Sequence, residues 1–195
     1  MSDDESVPQY KASKPVSIDQ LKSQDAEDES LRKYKEALLG QSVAGPKDDP
    51  RRVVVQDMTV IFEDRPGGNI TYPLNTKEAV EQMKKEPFVL REGCKYKIKI
   101  SFKVQHEIVS GLLQINTVYR KGIKFGTEKT MLGSFAPQAA FHEVTVPRND
   151  WNEAPSGLLA RGSYTAKIDF VDDDKQNHLS IEYAFAIKSD WSSKE

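Results

Sequence analysis

Three histidines and one cysteine are the residues of this chain that could act as bases, nucleophiles or metal ligands. They are His106, His142, His178 and Cys94. Their spacing matches no zinc-ligand pattern, and nothing pairs an oriented base with a nucleophile. The chain also has neither a glycine-rich phosphate loop ending in Gly-Lys nor a Gly-x-Ser-x-Gly turn. We therefore predict no catalytic residues, no metal site, no cofactor and no enzymatic activity.

An acidic triplet, Asp172, Asp173 and Asp174, is the other chemically distinctive group. Calcium binds several oxygen ligands, and residues 48–49 and 149–150 could supply more of them from other loops. The triplet could also contact a protein partner or form a solvated turn. A calcium-dependent membrane-binding module therefore stays open as one alternative, with the lysines of residues 95–103 as its basic face.

The composition argues against several other classes of protein. Of the 195 residues, 30% are charged, yet the formal net charge is only -2, without the basic excess typical of nucleic-acid binding. A single cysteine allows no intramolecular disulfide and suits a reducing compartment. The N-terminus is acidic, unlike a secretory signal, and no apolar run approaches the roughly 20 residues that span a bilayer. We expect a cytoplasmic protein.

From Val53 onward the apolar residues recur with a period of two, which is typical of β-strands. Between residues 96 and 104 every second residue is apolar, and residues 164–170 and 179–187 alternate in the same way. Positions 113, 115, 117 and 119 share one side of another strand. Leu159, Gly162 and Tyr164 have the spacing of a tyrosine corner. The sequence predicts an all-β fold, an immunoglobulin-like β-sandwich, over residues 53–195, with one short helix between Thr76 and Pro87.

Residues 1–52 differ in composition, being poor in aromatic residues and rich in charged ones, serine and glutamine. Such a segment buries too little apolar surface to offset its ordering entropy, so we predict a largely disordered arm. Two short helices are predicted within it, near residues 17–23 and 28–39. The second has capping acids, an apolar stripe at helical spacing and a terminal Gly40. Because so short a helix is marginal alone in water, we expect it to order on a partner.

Several motifs resemble those of the Rho GDP-dissociation inhibitors, in the same order along the chain. The predicted helix at residues 28–40 is similar to the arm helix of that family. Further matches are residues 88–93, 96–102, 107–111, 119–122, 159–164, 172–175 and 178–180. The resemblance extends from residue 28 to the C-terminus, whereas residues 1–24 match only loosely.

The resemblance implies a protein that binds Rho- and Rac-type small GTPases carrying a C-terminal geranylgeranyl group. The arm folds against the switch regions of the GDP-bound GTPase and blocks GDP release. The geranylgeranyl chain inserts between the two sheets, so the GTPase leaves the membrane after a transient encounter with its surface. The expected assembly is a monomer that forms a 1:1 complex, without nucleic acid.

The motif positions also imply which residues make these contacts. The switch-binding residues by resemblance are Asp28, Ser30, Leu31, Tyr34, Leu38, Asp173 and Asp174. The prenyl pocket by resemblance is lined by Val60, Phe88, Ile108, Leu159, Ala166, Ile181 and Tyr183. Mammalian-type members carry a Trp-x-Trp pair where this chain has Ile181 and Tyr183, and commonly a larger residue than Ala166, which implies a different pocket volume.

A general prenyl-lipid carrier is a second alternative, since such proteins share the sandwich. They lack the arm helix, so residues 28–40 count against this interpretation. Calcium-dependent binding to liposomes would instead favour the calcium module.

Overall fold

The computed structural model describes residues 45–191, which form a sandwich of two β-sheets with one short helix. The strands are β1 (Val53–Phe62), β2 (Ile70–Pro73), β3 (Phe88–Arg91), β4 (Lys95–Val104), β5 (Val109–Arg120), β6 (Ile123–Phe135), β7 (His142–Val146), β8 (Asn152–Glu153), β9 (Gly162–Val171) and β10 (Asn177–Lys188). The helix, α1, spans Lys77–Lys85. The predicted all-β sandwich is confirmed. The helices predicted near residues 17–23 and 28–39 lie outside the described residues.

The first sheet has the strand order β2-β1-β4-β7, with the short β8 also paired to β4. The second sheet has the order β3-β10-β9-β5-β6. Among the described pairings only β3 with β10 is parallel, and the others are antiparallel. The chain passes repeatedly from one sheet to the other, so the core is enclosed by strands that are distant in sequence.

The core lies between the sheets and is filled by the alternating residues of β4, β9 and β10. Ile100, Phe102, Ile168 and Ile181 are each at most 1% exposed. The lysines that alternate with them on β4 are at least partly exposed. The period-two pattern therefore predicted the buried face of these three strands correctly, because successive side chains on a strand point to opposite faces.

Strand β5 turns its more polar side toward the interior. Leu112 is fully buried and Gln114 is 4% exposed, so positions 113, 115, 117 and 119 lie on the outer face. The pairing explains this orientation, since Val118 lies opposite the inward-facing Ala166 of β9.

Helix α1 connects the edge of one sheet to the edge of the other, and it begins where the sequence predicted. The hydroxyl of Thr76 accepts a hydrogen bond from the Ala79 backbone N–H at 3.2 Å, which caps the helix. Met83 is 1% exposed and anchors the helix to the core. In the part of the chain that the structure describes, no helix has the length and apolar character needed to cross a membrane.

The tyrosine corner predicted from the sequence is present. The Tyr164 hydroxyl donates a hydrogen bond to the Ala160 carbonyl oxygen at 2.6 Å. The Tyr164 side chain is 3% exposed, so this bond joins the interior of β9 to the loop that precedes it. That loop, residues 154–161, also carries Leu159.

We predict that Tyr164→Phe lowers the free energy of unfolding by about 1 kcal/mol, because it removes one hydrogen bond and leaves the Ala160 carbonyl without its donor. Urea unfolding measures this difference. Tyr72→Phe is the matched control, since the Tyr72 hydroxyl has no hydrogen-bond partner within residues 45–191. Equal stability of the two variants would contradict a contribution from the corner.

Candidate functional site

The sandwich interior brings together five of the seven side chains predicted to line a prenyl pocket. Val60 comes from β1, Phe88 from β3, Ala166 from β9, and Ile181 and Tyr183 from β10. They are between 0% and 7% exposed and belong to one core cluster. Four strands from both sheets therefore converge on one apolar region, although their residues are up to 123 positions apart in the sequence (183 minus 60).

Stacked rings occupy this region, and we call Tyr183, Phe88, Phe185 and Tyr164 the aromatic row. The Phe88 ring centroid lies 6.0 Å from that of Tyr183 and 5.8 Å from that of Phe185. Phe185 in turn stacks on Tyr164 at 5.1 Å with the planes only 8° apart. Side chains therefore fill this part of the interior, and a ligand that enters along the aromatic row must displace some of them.

The polar groups that border the aromatic row are neutral. The Tyr183 hydroxyl donates to Asn116 Oδ1 at 3.2 Å, and burial raises the pKa of Tyr183 far above its usual value. Burial likewise raises the pKa of Tyr96 to about 12. Gln114 Oε1 is buried and has no hydrogen-bond partner among the described residues. The buried Asp172 side chain lies in the turn after β9, so the region of the aromatic row suits an apolar ligand, because no charge has to be compensated there.

The other two predicted pocket residues, Ile108 and Leu159, lie in loops and do not belong to this core cluster. Ile108 is half-buried in the loop between β4 and β5. Leu159 is 87% exposed in the loop before β9, at the opposite end of the sandwich. The sequence could not show that these two residues differ from the other five. Both lie in loops, where the two-residue alternation of a strand does not indicate which side chains face inward.

Open cavities also lie outside the sandwich interior. One, of about 280 Å³, is lined mainly by outward-facing residues of β5, β9 and β10, including Tyr119, Lys167 and Glu182. Another, of about 400 Å³, lies between α1 and β10 and includes Arg51 and Leu179. Ala166 and Tyr183 border the first cavity, but their side chains are buried on the inner face.

The acidic triplet forms the turn between β9 and β10. Asp173 and Asp174 are exposed there, whereas Asp172 is 6% exposed. The Asp173 N–H donates to the Ser110 carbonyl at 3.1 Å. The Asp173 carboxylate packs against Gly111, which has a φ of 59° and no room for a Cβ. Asp173 is thus held beside β5, and the Asp174 carboxylate lies 4.0 Å from Arg52 Nη1, while both predicted switch-binding aspartates remain exposed.

Asp172 serves the structure of the turn. Its Oδ1 accepts from the Gln176 N–H at 2.9 Å, and its Oδ2 lies 2.8 Å from His178 Nε2. The side chains of Asp172 and His178 are 1% and 2% exposed. These contacts turn the carboxylate inward, so it does not contribute to an outward-facing ligand set. Within residues 45–191 no cluster of histidine, cysteine and acidic side chains is arranged to hold a metal ion.

Arg52 joins the turn to the beginning of the sandwich. Its Nη1 lies 3.5 Å from Asp172 Oδ2 and donates to Gln176 Oε1 at 3.1 Å. Its Nη2 donates to the Ile108 carbonyl at 3.0 Å. The side chain is only 12% exposed. Arg52 therefore connects three segments that are distant in sequence. No pattern in the residues around Arg52 predicted these contacts.

Residues 45–52, which we call the arm root, lie against the loop after β4. The Gln105 side-chain amide donates to the Arg51 carbonyl at 3.0 Å, and the Gln105 N–H donates to the Arg52 carbonyl at 2.8 Å. His106 Nε2 lies 2.6 Å from the Asp49 carbonyl oxygen. The predicted arm extends through these residues, so its last eight positions are part of the packed structure described here. The switch-binding residues predicted in the arm, Asp28, Ser30, Leu31, Tyr34 and Leu38, lie outside the described residues.

Two further residues that could in principle act as a nucleophile, base or metal ligand, Cys94 and His142, are packed into the sandwich. Cys94 is 1% exposed, and burial raises the pKa of its thiol to about 11, which keeps it protonated and unreactive. His142 packs against Phe102 and Phe135, and its Nε2 lies 2.9 Å from the Ala136 carbonyl oxygen.

We predict that Arg52→Met lowers the free energy of unfolding by about 2 kcal/mol, because it removes the cation beside the buried Asp172 side chain and takes the Arg52 donor from the Ile108 carbonyl and Gln176 Oε1. Arg51→Met is the matched control. Arg51 pairs with Asp49 at 2.6 Å but is 59% exposed, so its loss is expected to cost at most about 0.5 kcal/mol. Thermal or urea unfolding compares the two, and equal effects would argue against a structural role for Arg52.

Comparison with known proteins agrees with the resemblance drawn from the motifs. The model of the family described as RHO protein GDP dissociation inhibitor matches residues 1–190. A putative rho GDP-dissociation inhibitor 1 from Dictyostelium discoideum is 62% identical over 193 residues, covering 99% of this chain and 97% of that protein. Rho GDP-dissociation inhibitor 1 from Homo sapiens is 44% identical over 189 residues, covering 97% and 90%.

A third relative also matches nearly the whole chain, at lower sequence identity. The Rho GDP-dissociation inhibitor of Saccharomyces cerevisiae is 40% identical over 185 residues, covering 92% of this chain and 90% of that protein. Each match spans the arm as well as the sandwich. The chain therefore belongs to the family of Rho GDP-dissociation inhibitors.

Proposed function

We propose that this chain holds a geranylgeranylated, GDP-bound Rho- or Rac-type GTPase in a 1:1 complex in the cytoplasm, itself being a monomer. Membership of the family makes it a GDP-dissociation inhibitor of Rho-family GTPases and a regulator rather than an enzyme. The lipid lies between the two sheets, and the arm together with Asp173 and Asp174 contacts the switch regions.

The convergence of Val60, Phe88, Ala166, Ile181 and Tyr183 in one apolar, uncharged interior is the observation that carries the lipid part of this proposal. Transfer of a lipid chain out of a bilayer requires comparable burial elsewhere, at about 0.8 kcal/mol per CH₂, or on the order of 10 kcal/mol for a twenty-carbon chain. Separating a stacked pair in the aromatic row costs about 1 kcal/mol beyond the loss of its buried area. A lipid chain that takes the place of the displaced rings restores apolar burial between the sheets.

The position of the acidic turn supports the part of the proposal that concerns the switch regions. Asp173 and Asp174 are exposed, and Arg52 connects their turn to the arm root. An arm that leaves the sandwich beside this turn can contact the same face of a GTPase as the two aspartates. Carboxylates in this position can accept hydrogen bonds from backbone amides or hydroxyl groups of the switch regions of the GTPase.

We predict that Ala166→Leu weakens extraction of a geranylgeranylated Rho-type GTPase from liposomes by about tenfold, because the added side chain takes up volume between the sheets. Ala184→Leu is the matched control, since Ala184 lies on the outer side of β10 next to Tyr183. Extraction is measured by sedimentation of the liposomes, and the unfolding midpoint of each variant is recorded beside it. Unchanged extraction by a folded Ala166→Leu variant would place the lipid elsewhere.

We predict that removal of residues 1–44 abolishes the slowing of GDP release while leaving a folded sandwich that still binds the lipid. The cut preserves the arm root and with it the Arg52 contacts to Asp172 and Gln176. Release of a fluorescent GDP analogue from the GTPase measures the effect, with the full-length chain as reference. Equal slowing by the truncated and full-length proteins would exclude a switch-binding role for the arm.

A further inference from the structure

The end of the sandwich opposite the acidic turn exposes four large apolar side chains. Ile123 and Phe125 lie at the turn between β5 and β6 and are 74% and 62% exposed. Leu158 and Leu159 lie in the loop before β9 and are 79% and 87% exposed. We call residues 119–126 and 156–163 together the apolar end.

Hydrogen bonds from Arg120 hold these two segments side by side. Its guanidinium donates to the carbonyl oxygens of Leu159 and Arg161, the latter at 2.8 Å. Arg161 is itself fixed by Glu92, with Nη2 to Oε1 at 2.6 Å, and the same carboxylate accepts from the Gly157 N–H at 2.9 Å. The four apolar side chains are therefore presented on supported loops and form one surface.

The charge of the apolar end is mainly basic, although Glu92, from outside its two segments, pairs with Arg161. Residues 119–126 and 156–163 contain Arg120, Lys121, Lys124 and Arg161 and no acidic residue, although the whole chain has a formal net charge of -2. Lys121 and Gly122 both have positive φ, at 49° and 78°, which makes a tight hairpin turn and carries Lys121 to the extreme tip. Apolar side chains flanked by basic ones are suited to binding an anionic bilayer surface. The apolar side chains enter the headgroup region, and the basic side chains contact the lipid phosphates.

The apolar end is continuous with the sandwich interior. The Phe125 ring contacts the Tyr164 ring edge-on at 6.0 Å, and Tyr164 begins the aromatic row that leads through Phe185 to Phe88. We propose that this end is a docking surface for anionic lipid bilayers, from which a prenyl chain reaches the interior along the aromatic row. The second half of this inference rests on the proposed function, whereas the first half does not.

Binding of the full-length protein alone to vesicles tests the docking surface. We expect it to float with vesicles that contain about one third phosphatidylserine and not with pure phosphatidylcholine vesicles, because the basic residues need an anionic surface. Lys121→Glu together with Lys124→Glu is expected to reduce binding more than tenfold, since each basic residue near such a surface contributes about fivefold. Ile123→Ser together with Phe125→Ser should also reduce binding to the phosphatidylserine vesicles, because two apolar side chains no longer enter the bilayer.

Lys77→Glu together with Lys85→Glu is the matched control, because it makes the same charge change at two exposed residues of α1, away from the apolar end. This control is expected to change binding less than twofold, and its folding should equal that of the tip variants, whose substituted residues are all exposed. Equal losses from both lysine pairs would overturn the docking surface in favour of a non-specific charge effect. Failure of the unsubstituted protein to bind anionic vesicles would also overturn the docking surface. So would an unsubstituted protein that is a dimer and an Ile123→Ser, Phe125→Ser variant that is a monomer, because a second copy of the chain would then cover the apolar end.

The assay contains no GTPase, so its result is independent of prenyl binding. Vesicle binding without GTPase extraction would reject the proposed lipid site and keep the docking surface. Tip variants that lose vesicle binding but keep normal extraction would reject the route of the prenyl chain from this surface, and would keep both the docking surface and the lipid site.

Discussion

The burial of one carboxylate, that of Asp172, fixes the geometry on which the candidate switch-binding surface depends. A carboxyl side chain that is only 1% exposed needs partners that replace the water it has lost. His178, Gln176 and Arg52 provide those partners. Meeting this requirement closes the turn between β9 and β10, fixes the arm root beside it, and turns the next two aspartates outward.

Under the proposed function the interior of the sandwich faces a different requirement, since a protein that takes up a lipid must be stable without it. The aromatic row meets this requirement by filling the space with flat side chains that stack on one another. Flat rings can slide or tilt while staying in van der Waals contact, whereas branched side chains interlock. Ile181 and Tyr183 stand where the resemblance to mammalian-type members implies tryptophans, so smaller side chains line the interior at these two positions.

The two ends of the sandwich have opposite chemistry. The acidic turn presents Asp173 and Asp174, whereas the apolar end presents leucine, isoleucine and phenylalanine among basic residues. Strand β9 runs from one end to the other, and its inward side chains form part of the core between them. A GTPase at the acidic end and a bilayer at the basic end could thus be engaged by one rigid body, with the aromatic row between them.

The sequence by itself determined the local features of this protein. Alternation identified the buried faces of β4, β9 and β10, the spacing around Tyr164 identified the tyrosine corner, and Thr76 identified the start of α1. These features depend on interactions within a few residues, or on the fixed two-residue period of a strand, so they can be read from neighbouring positions. The motif order likewise identified the family.

Only the tertiary structure decided which distant residues meet. Arg52 lies 120 positions from Asp172 and Arg120 lies 39 from Leu159, and no local pattern predicts either contact. The pairing of β5 with β9 decided that Gln114 faces inward, and the absence of a strand around Leu159 left it exposed while Val60, Phe88 and Ile181 converged. The physical reason is that side-chain alternation specifies a face within one strand, whereas the partner of that face is chosen by the packing of the whole sandwich.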